Sequence, residues 1–343
     1  MMHTLTLPMM NRRRYISTLA WFAVFFLATL AVSPLIGSTR IDLAKALSTK
    51  IALADNVDAS ILFLARLPRI LLAAITGASL SVSGAVFQAI LRNDLAAPIT
   101  LGVSSGAAFG AVLAISLGFS FTVMGFSSIP VAAFLGAMAA ITLVFSLVKT
   151  RQGELPTSIV LLAGVTVNFF FAAMVMFIHY LSDVTQSFRI VRWLMGGLDI
   201  TDYQTVFSIC PPVVIGIGIL MMIARDLNLI SSGSQSALSR GVDVPKIQKL
   251  GLVSASLITG AVVAISGPIG FVGLVVPHIV RLLIGPDQRL LIPASMLFGA
   301  SFLIICDTVA RTVIAPTEIP VGVITALIGG PFFVWLLRRK RQV

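Results

Sequence analysis

Long apolar runs separated by short polar segments set the organisation of the chain. Runs near the length of about twenty residues that a helix needs to cross a bilayer occur at 16–36, 70–91, 129–148, 158–181, 205–224 and 290–310. Shorter ones lie at 102–117, 250–266, 270–284 and 321–337. This pattern predicts an all-α, polytopic membrane bundle of ten spans, forming one transmembrane domain over 1–343. An even number of spans places both termini on one side. A short amphipathic helix is expected at 41–47, and the longest polar connection is 225–249.

Two stretches depart from plain spans. Residues 266–289 read S-G-P-I-G-F-V-G-L-V-V-P-H-I-V-R-L-L-I-G-P-D-Q-R. Pro268 and Gly270 break the apolar run, and it leaves through Pro277, His278 and Arg281. Irregular backbone at membrane depth survives only against protein or a water-filled cavity, so this stretch suggests a broken element inside a transport bundle. Within 225–249, Ser236–Arg240 suits one short helix closed by Gly241, and Pro245 suits the first turn of another. Two such helices would make a docking platform; the alternative is a plain polar loop. Gly77–Gly84 (G-A-S-L-S-V-S-G) and Gly260–Gly267 (G-A-V-V-A-I-S-G) share four residues at equal spacing. Either an internal repeat or small-residue helix packing accounts for them.

Composition sharpens the class. The chain is 57% hydrophobic and 11% charged, against roughly 25% charged in soluble domains, and its mean hydropathy is +1.03. The net charge of +11 could serve nucleic acid or an anionic lipid surface. In a membrane chain it follows from Lys and Arg gathering in cytoplasmic loops. With the N-terminus inside, the inner side holds Arg12, Arg13, Arg14, Arg92, Lys149, Arg151, Arg225, Arg240, Lys246, Lys249, Arg281, Arg289 and the run 338–341. That is about twice the outer share, which supports a cytoplasmic N-terminus. Arg12–Arg14 ahead of an apolar run resembles a signal peptide, but the run is too long for one and reads as a retained span. Cys210 and Cys306 lie in apolar runs and read as small core residues.

Candidate chemistry is sparse. There is no G-x-x-x-x-G-K-[ST] stretch to cradle a nucleotide. His3, His179 and His278 are scattered, without metal-ligand spacing, and no nucleophile–base or paired-carboxylate arrangement stands out. These absences argue against an enzyme and leave no metal site to name. Asp307 and Arg311, four residues apart, share a helix face and can pair; the pair either seats the helix end or presents Arg311 to an outer vestibule. No series of intramembrane carboxylates suggests a proton-driven carrier. Asn168 reads as interhelical glue, and His179 and Tyr180 as interface anchors.

Ordered motifs give the chain a family resemblance. They are R-L-P-R at Arg66–Arg69, N-D-L-A-A-P-I-T-L-G-V-S-S-G-A at Asn93–Ala107, W-L-M-G-G at Trp193–Gly197, G-F-V-G-L-V-V-P-H-I-V-R at Gly270–Arg281 and E-I-P-V-G-V-I-T-A-L-I-G-G-P-F-F at Glu318–Phe333. In this order they resemble the FecCD-type permeases of bacterial ABC importers, which carry iron–siderophores, haem or cobalamin. Asp94 stands where that family often has proline, and Gln288 where it often has histidine.

The resemblance implies a permease subunit in the bacterial inner membrane, paired with a second copy or a paralogue, with the pathway between them. Two ATPase subunits would supply ATP and Mg chemistry, so that this chain binds no cofactor, and a periplasmic binding protein would deliver substrate. Arg66, Arg69 and Arg311 match outward arginines that meet carboxylates on the binding protein, as exposed pairs that add orientation and on-rate. Ala237, Leu238, Ser239, Arg240 and Gly241 match the contact with the ATPase. Asn93, Leu95, Thr157 and Ser158 match a cytoplasmic gate. An iron–siderophore is the expected cargo, haem the second choice and cobalamin the third. A stand-alone carrier would instead move substrate without an ATPase.

Overall fold

The computed structural model describes residues 12–48, 56–119, 122–123, 126–148, 156–199 and 202–340; Lys149, Arg151, Arg341 and His3 lie outside these. The described chain is helical nearly throughout. It runs through α1 (Arg12–Val32), α2 (Leu43–Ala46) and α3 (Val57–Ser60), which continues through a π-helical turn at Ile61–Arg66 into α4 (Leu67–Leu91). Then come α5 (Val103–Ser116), a hairpin tip of β1 (Thr122–Val123) and β2 (Phe126–Ser127), α6 (Ser128–Leu147), α7 (Thr157–Leu181) and α8 (Val184–Leu194). Next are α9 (Tyr203–Ser208), α10 (Cys210–Met222), α11 (Ala224–Ser231) and α12 (Ser234–Leu238). The chain closes with α13 (Val244–Ser266), α14 (Val272–Ile284), α15 (Gln288–Thr312) and α16 (Val321–Lys340).

Among the described residues, seven helical stretches are long and apolar enough to cross a membrane, and Val103–Ser116, Val272–Ile284 and Val321–Leu336 are apolar but shorter. Three local features differ from the sequence expectation. The run at 205–224 is two helices, because Pro211 and Pro212 sit in the first turn of α10, where a missing N–H costs nothing. The run expected to begin at 250 starts at Val244, with Asp243 accepting from the Lys246 amide at 3.1 Å. And α8 is an amphipathic helix started by an Asp183–Gln186 capping box. In the connection 225–249, α11 and α12 replace a plain loop; α12 ends at Leu238, and Gly241 takes φ +82 in the turn beyond.

Most of the few carboxylates have identifiable partners. Asp42, Asp183, Asp202, Asp243 and Asp287 each cap a helix start by accepting a backbone N–H. A capping side chain satisfies a donor that the helix leaves orphaned.

The bundle is organised around α4, whose residues are nearly all buried and which packs on α13, α14 and α15. Between helices in lipid there is no hydrophobic driving force, so association relies on close packing and polar contacts. Here the approach is backbone to backbone. A Cβ on Gly77 would strike the Gly299 carbonyl of α15, and a Cβ on Gly84 the Gly273 carbonyl of α14. Ser83 donates to the Ala255 carbonyl of α13 at 2.9 Å. The matching stretch 260–267 is used differently. Gly260 packs against α6 side chains, while Gly267 ends α13 at φ +66. That α13–α14 joint is held by the amide of Gly197, which donates to the Ser266 carbonyl at 2.8 Å. On the flank of the bundle, α1 lies on α15, with Phe22 and Phe25 each 6.0 Å from Phe298.

Candidate functional site

At the end of the bundle where α4 begins and α15 finishes, four arginines and three carboxylates converge. The four-residue spacing places Asp307 and Arg311 on one face of α15, as the sequence implied. Asp307 Oδ1 accepts from Arg69 Nε at 2.9 Å, and its Oδ2 pairs with Arg311 Nε at 3.0 Å. Arg69 Nη1 also reaches Glu318 Oε2 at 2.5 Å and Asp199 Oδ1 at 3.1 Å. The other oxygen of Asp199 pairs with Arg192 Nη2 at 3.1 Å. Arg66 stands apart: its guanidinium donates to the Pro34 carbonyl at 2.6 Å and to the Thr39 carbonyl, and it makes no ion pair among the described residues. Arg66, Arg69, Arg192, Arg311, Asp199 and Glu318 line a cavity of about 370 Å³.

The structure thus brings Arg66, Arg69 and Arg311 together, but corrects the expectation that they are exposed. The side chains of Arg69, Arg311 and Asp307 are 10%, 5% and 1% exposed, and Arg66 is buried. The reason is electrostatic. Removing a charge from water costs several kcal/mol, and only well-placed counter-charges and hydrogen bonds offset it. Asp199, Glu318 and Arg192 were not singled out in the sequence. Four arginines against three carboxylates leave one positive charge in excess, and Arg66 is the arginine without a carboxylate.

At the opposite end, the turn after α4 is pinned to α14. Arg281 Nη1 pairs with Asp94 Oδ1 at 2.6 Å, and its Nη2 donates to Gln88 Oε1 at 2.9 Å. Asn93 shapes the turn by accepting the Leu95 amide at 2.9 Å, an Asx-type bond. Leu95 is exposed, Thr157 half-buried and Ser158 exposed, and no hydrogen bond joins the turn to the last two among the described residues. Asp94 therefore has a role that a proline could not fill. Asp94→Ala is expected to raise amide exchange across 93–97 by about tenfold, equivalent to 1.4 kcal/mol of local opening. Hydrogen-exchange mass spectrometry checks this; unchanged protection would remove the pin.

Beside that turn, Ala237 is buried with Ile230, Val242 and Val244, while Leu238, Ser239, Arg240 and Gly241 are exposed. Asn228 of α11 ties this region to α15, donating to Asp287 Oδ1 at 2.7 Å and accepting the Gln288 amide at 2.7 Å. Burial alone would push the Asp287 carboxyl up, but donors from Arg289 and Asn228 outweigh it and hold it below the usual carboxylate range. A lowered carboxylate stabilises the fold at neutral pH, and that contribution is lost as pH falls through the lowered value. Among the described residues, no cluster of three or more His, Cys, Asp or Glu side chains could hold a metal.

Residues 24–339 match the model of the FecCD transport family. The chain belongs to this family. It is 47% identical over 279 residues to the cobalamin import system permease protein BtuC of Halobacterium salinarum, covering 80% of this chain and 72% of the relative. It is 42% identical over 282 residues to the hemin transport system permease protein HmuU of Yersinia pestis, covering 81% and 83%. The Fe(3+)-citrate import system permease protein YfmD of Bacillus subtilis is 34% identical over 335 residues, covering 97% and 98%. A solved inward-facing conformation of a metal-chelate type ABC transporter superposes with a TM-score of 0.79 at 33% identity, covering 94% of this chain and 99% of that one. The FecCD chain is accordingly a multi-pass membrane protein and an ABC importer permease, a transport component rather than an enzyme. Such a permease works with ATPase and substrate-binding partners and as one of a permease pair.

Proposed function

We propose that this permease moves a metal chelate from periplasm to cytoplasm across a bacterial inner membrane. The observation that carries the reading is similarity over most of the chain to permeases named for cobalamin, hemin and ferric citrate import. All three cargoes are metal chelates, and an iron–siderophore is the first to test, with haem and cobalamin after it. The seven long and three shorter apolar helices are read as ten spans of one permease domain, and the charge bias supports cytoplasmic termini. Two copies enclose the pathway, and two ATPase subunits hold ATP and Mg.

In this orientation the arginine cavity faces the periplasm. Its excess positive charge suits a carboxylate on the binding protein, with Arg66, the arginine without a carboxylate, as the contact and Arg69 and Arg311 as its ion-paired support. Ala237–Gly241 meets the ATPase, with Leu238, Ser239, Arg240 and Gly241 as the exposed contact and Ala237 seating it. The turn at Asn93 and Leu95, with Thr157 and Ser158, forms the cytoplasmic gate. ATP-driven closure of the ATPases rocks the two permeases about their common axis.

The test reconstitutes the chain with its ATPase and binding protein. Chelate uptake should require both partners, and labelled ferric siderophore, haem and cobalamin should separate by rate. Arg66→Gln should weaken docking of the binding protein by about tenfold, or 1.4 kcal/mol, read on protein that elutes normally on size exclusion. Uptake by the chain alone down a gradient would overturn the importer reading; unchanged docking would overturn the role of Arg66.

A further inference from the structure

A second cavity, of about 570 Å³, opens where α1, α10, α11 and α15 meet, at the end away from the arginine cavity. Three membrane spans end at its wall. Arg13–Leu35 begins there beside Tyr15, Tyr203–Met222 finishes there, and Gln288–Thr312 starts there. The cavity therefore lies at the depth where acyl chains give way to headgroups.

Its lining divides by chemistry. Met221 and Met222 are apolar and exposed. Facing them are Tyr15, Arg225, Gln288 and Arg289. Arg289 holds Asp287 through Nε and Nη2, at 3.0 and 2.6 Å, which leaves Nη1 free of that pair. Asp287, one residue before Gln288, is thus already matched by Arg289 and Asn228. Arg225 is exposed and has no ion pair among the described residues, so the site carries an unmatched positive charge. Arg13 and Arg14, both exposed, precede Tyr15 on α1. A separate observation also points to a ligand. Gln288 is 2% exposed, and its Oε1 lacks a hydrogen-bond donor. A buried acceptor without a partner costs about 1–3 kcal/mol.

We propose that this cavity seats one anionic phospholipid with a hydroxyl-bearing headgroup, of the phosphatidylglycerol type. Its phosphate lies against Arg225 and the free edge of Arg289, a headgroup hydroxyl donates to Gln288, and an acyl chain follows Met221 and Met222. Arginine matches phosphate oxygens through paired, charge-assisted N–H bonds, and basic pockets between spans on the cytoplasmic side take acidic headgroups. A free phosphate would leave the apolar half of the cavity unused. The bound lipid would brace the elbow between α10 and α11, directly before α12. The proposal takes only the choice of leaflet from the orientation argued above. Its test reads lipid retention, so it can fail without touching the transport reading.

The full chain is reconstituted in nanodiscs of phosphatidylcholine and phosphatidylglycerol, re-extracted in mild detergent, and its retained lipid weighed by native mass spectrometry. The wild type should hold one phosphatidylglycerol in preference to phosphatidylcholine by about tenfold. Arg225→Gln should lose that preference and Arg225→Lys should keep most of it, both with normal elution on size exclusion. Met221→Trp, at an exposed wall of the acyl half, should lower retention without changing the basic rim. Equal retention of the two lipids, or full retention by Arg225→Gln, would overturn the proposal. So would displacement of no lipid alongside saturable binding of inorganic phosphate, which would mark a phosphate pocket instead.

Discussion

Gly84→Ala is expected to leave almost no folded permease in the membrane. The position lies in the most buried helix, where α4 crosses α14, and the added methyl would meet the backbone carbonyl of Gly273. A clash with a side chain can be relieved by a rotamer change; a clash with backbone needs a helix to move. α4 has nowhere to go. About two turns away it lies against α15 through Gly77 and Gly299, and Ser83 bonds the Ala255 carbonyl of α13. Overpacking a filled core costs about 1–3 kcal/mol and occasionally more; here the obstacle is the Gly273 backbone and α4 is packed on its other sides, so a loss of about 3 kcal/mol or more follows. Fluorescence-detected size exclusion of the solubilised chain reads this as a collapsed monodisperse peak and a lowered thermal midpoint. Gly218→Ala on α10, where an added Cβ meets nothing within 4 Å, is the control and should match wild type. A wild-type peak for Gly84→Ala would mean that the helices can part without penalty, and that close backbone approach is not what holds α4.

The same contrast explains what could be read from the residues. Apolar runs mark spans because lipid tolerates little else, so α4, α6, α7 and α15 appear near their true bounds. Gly77 and Gly84 were visible as small residues, but whether they meet a helix, and which one, depends on partners at 273 and 299. The start of α13 was misplaced because Lys246 and Lys249 look like loop charges; on the first turns of a span, such side chains reach back to the interface. α8 escaped notice because its alternation of polar and apolar residues gives no long run, although its Asp183–Gln186 capping box was a usable signal. In the arginine site, only the Arg66–Arg69 and Asp307–Arg311 spacings were local. Arg69, Asp199 and Glu318 come from α4, the segment after α8, and the segment before α16, and no periodicity links them.

That site yields the second large effect. Asp307→Leu should destabilise the chain by about 3–5 kcal/mol, the penalty for leaving a buried charge without its partner. Arg311 is 5% exposed and Asp307 is its one ion-pair partner among the described residues, whereas Arg69 retains Glu318 and Asp199. The penalty therefore falls on Arg311, and Asp307→Leu with Arg311→Met should recover most of the lost thermal midpoint, since apolar residues of similar size can replace a buried pair at little cost. If the double variant stays as unstable as the single one, Asp307 matters through Arg69 instead. A stable double variant also separates two roles for Arg311. Removing one arginine and one carboxylate leaves the cavity with the same single excess charge. Docking of the binding protein at wild-type strength would then make Arg311 a structural partner that seats the end of α15. Loss of docking at preserved stability would make its guanidinium a contact in its own right, reached through the cavity despite its burial in the isolated chain.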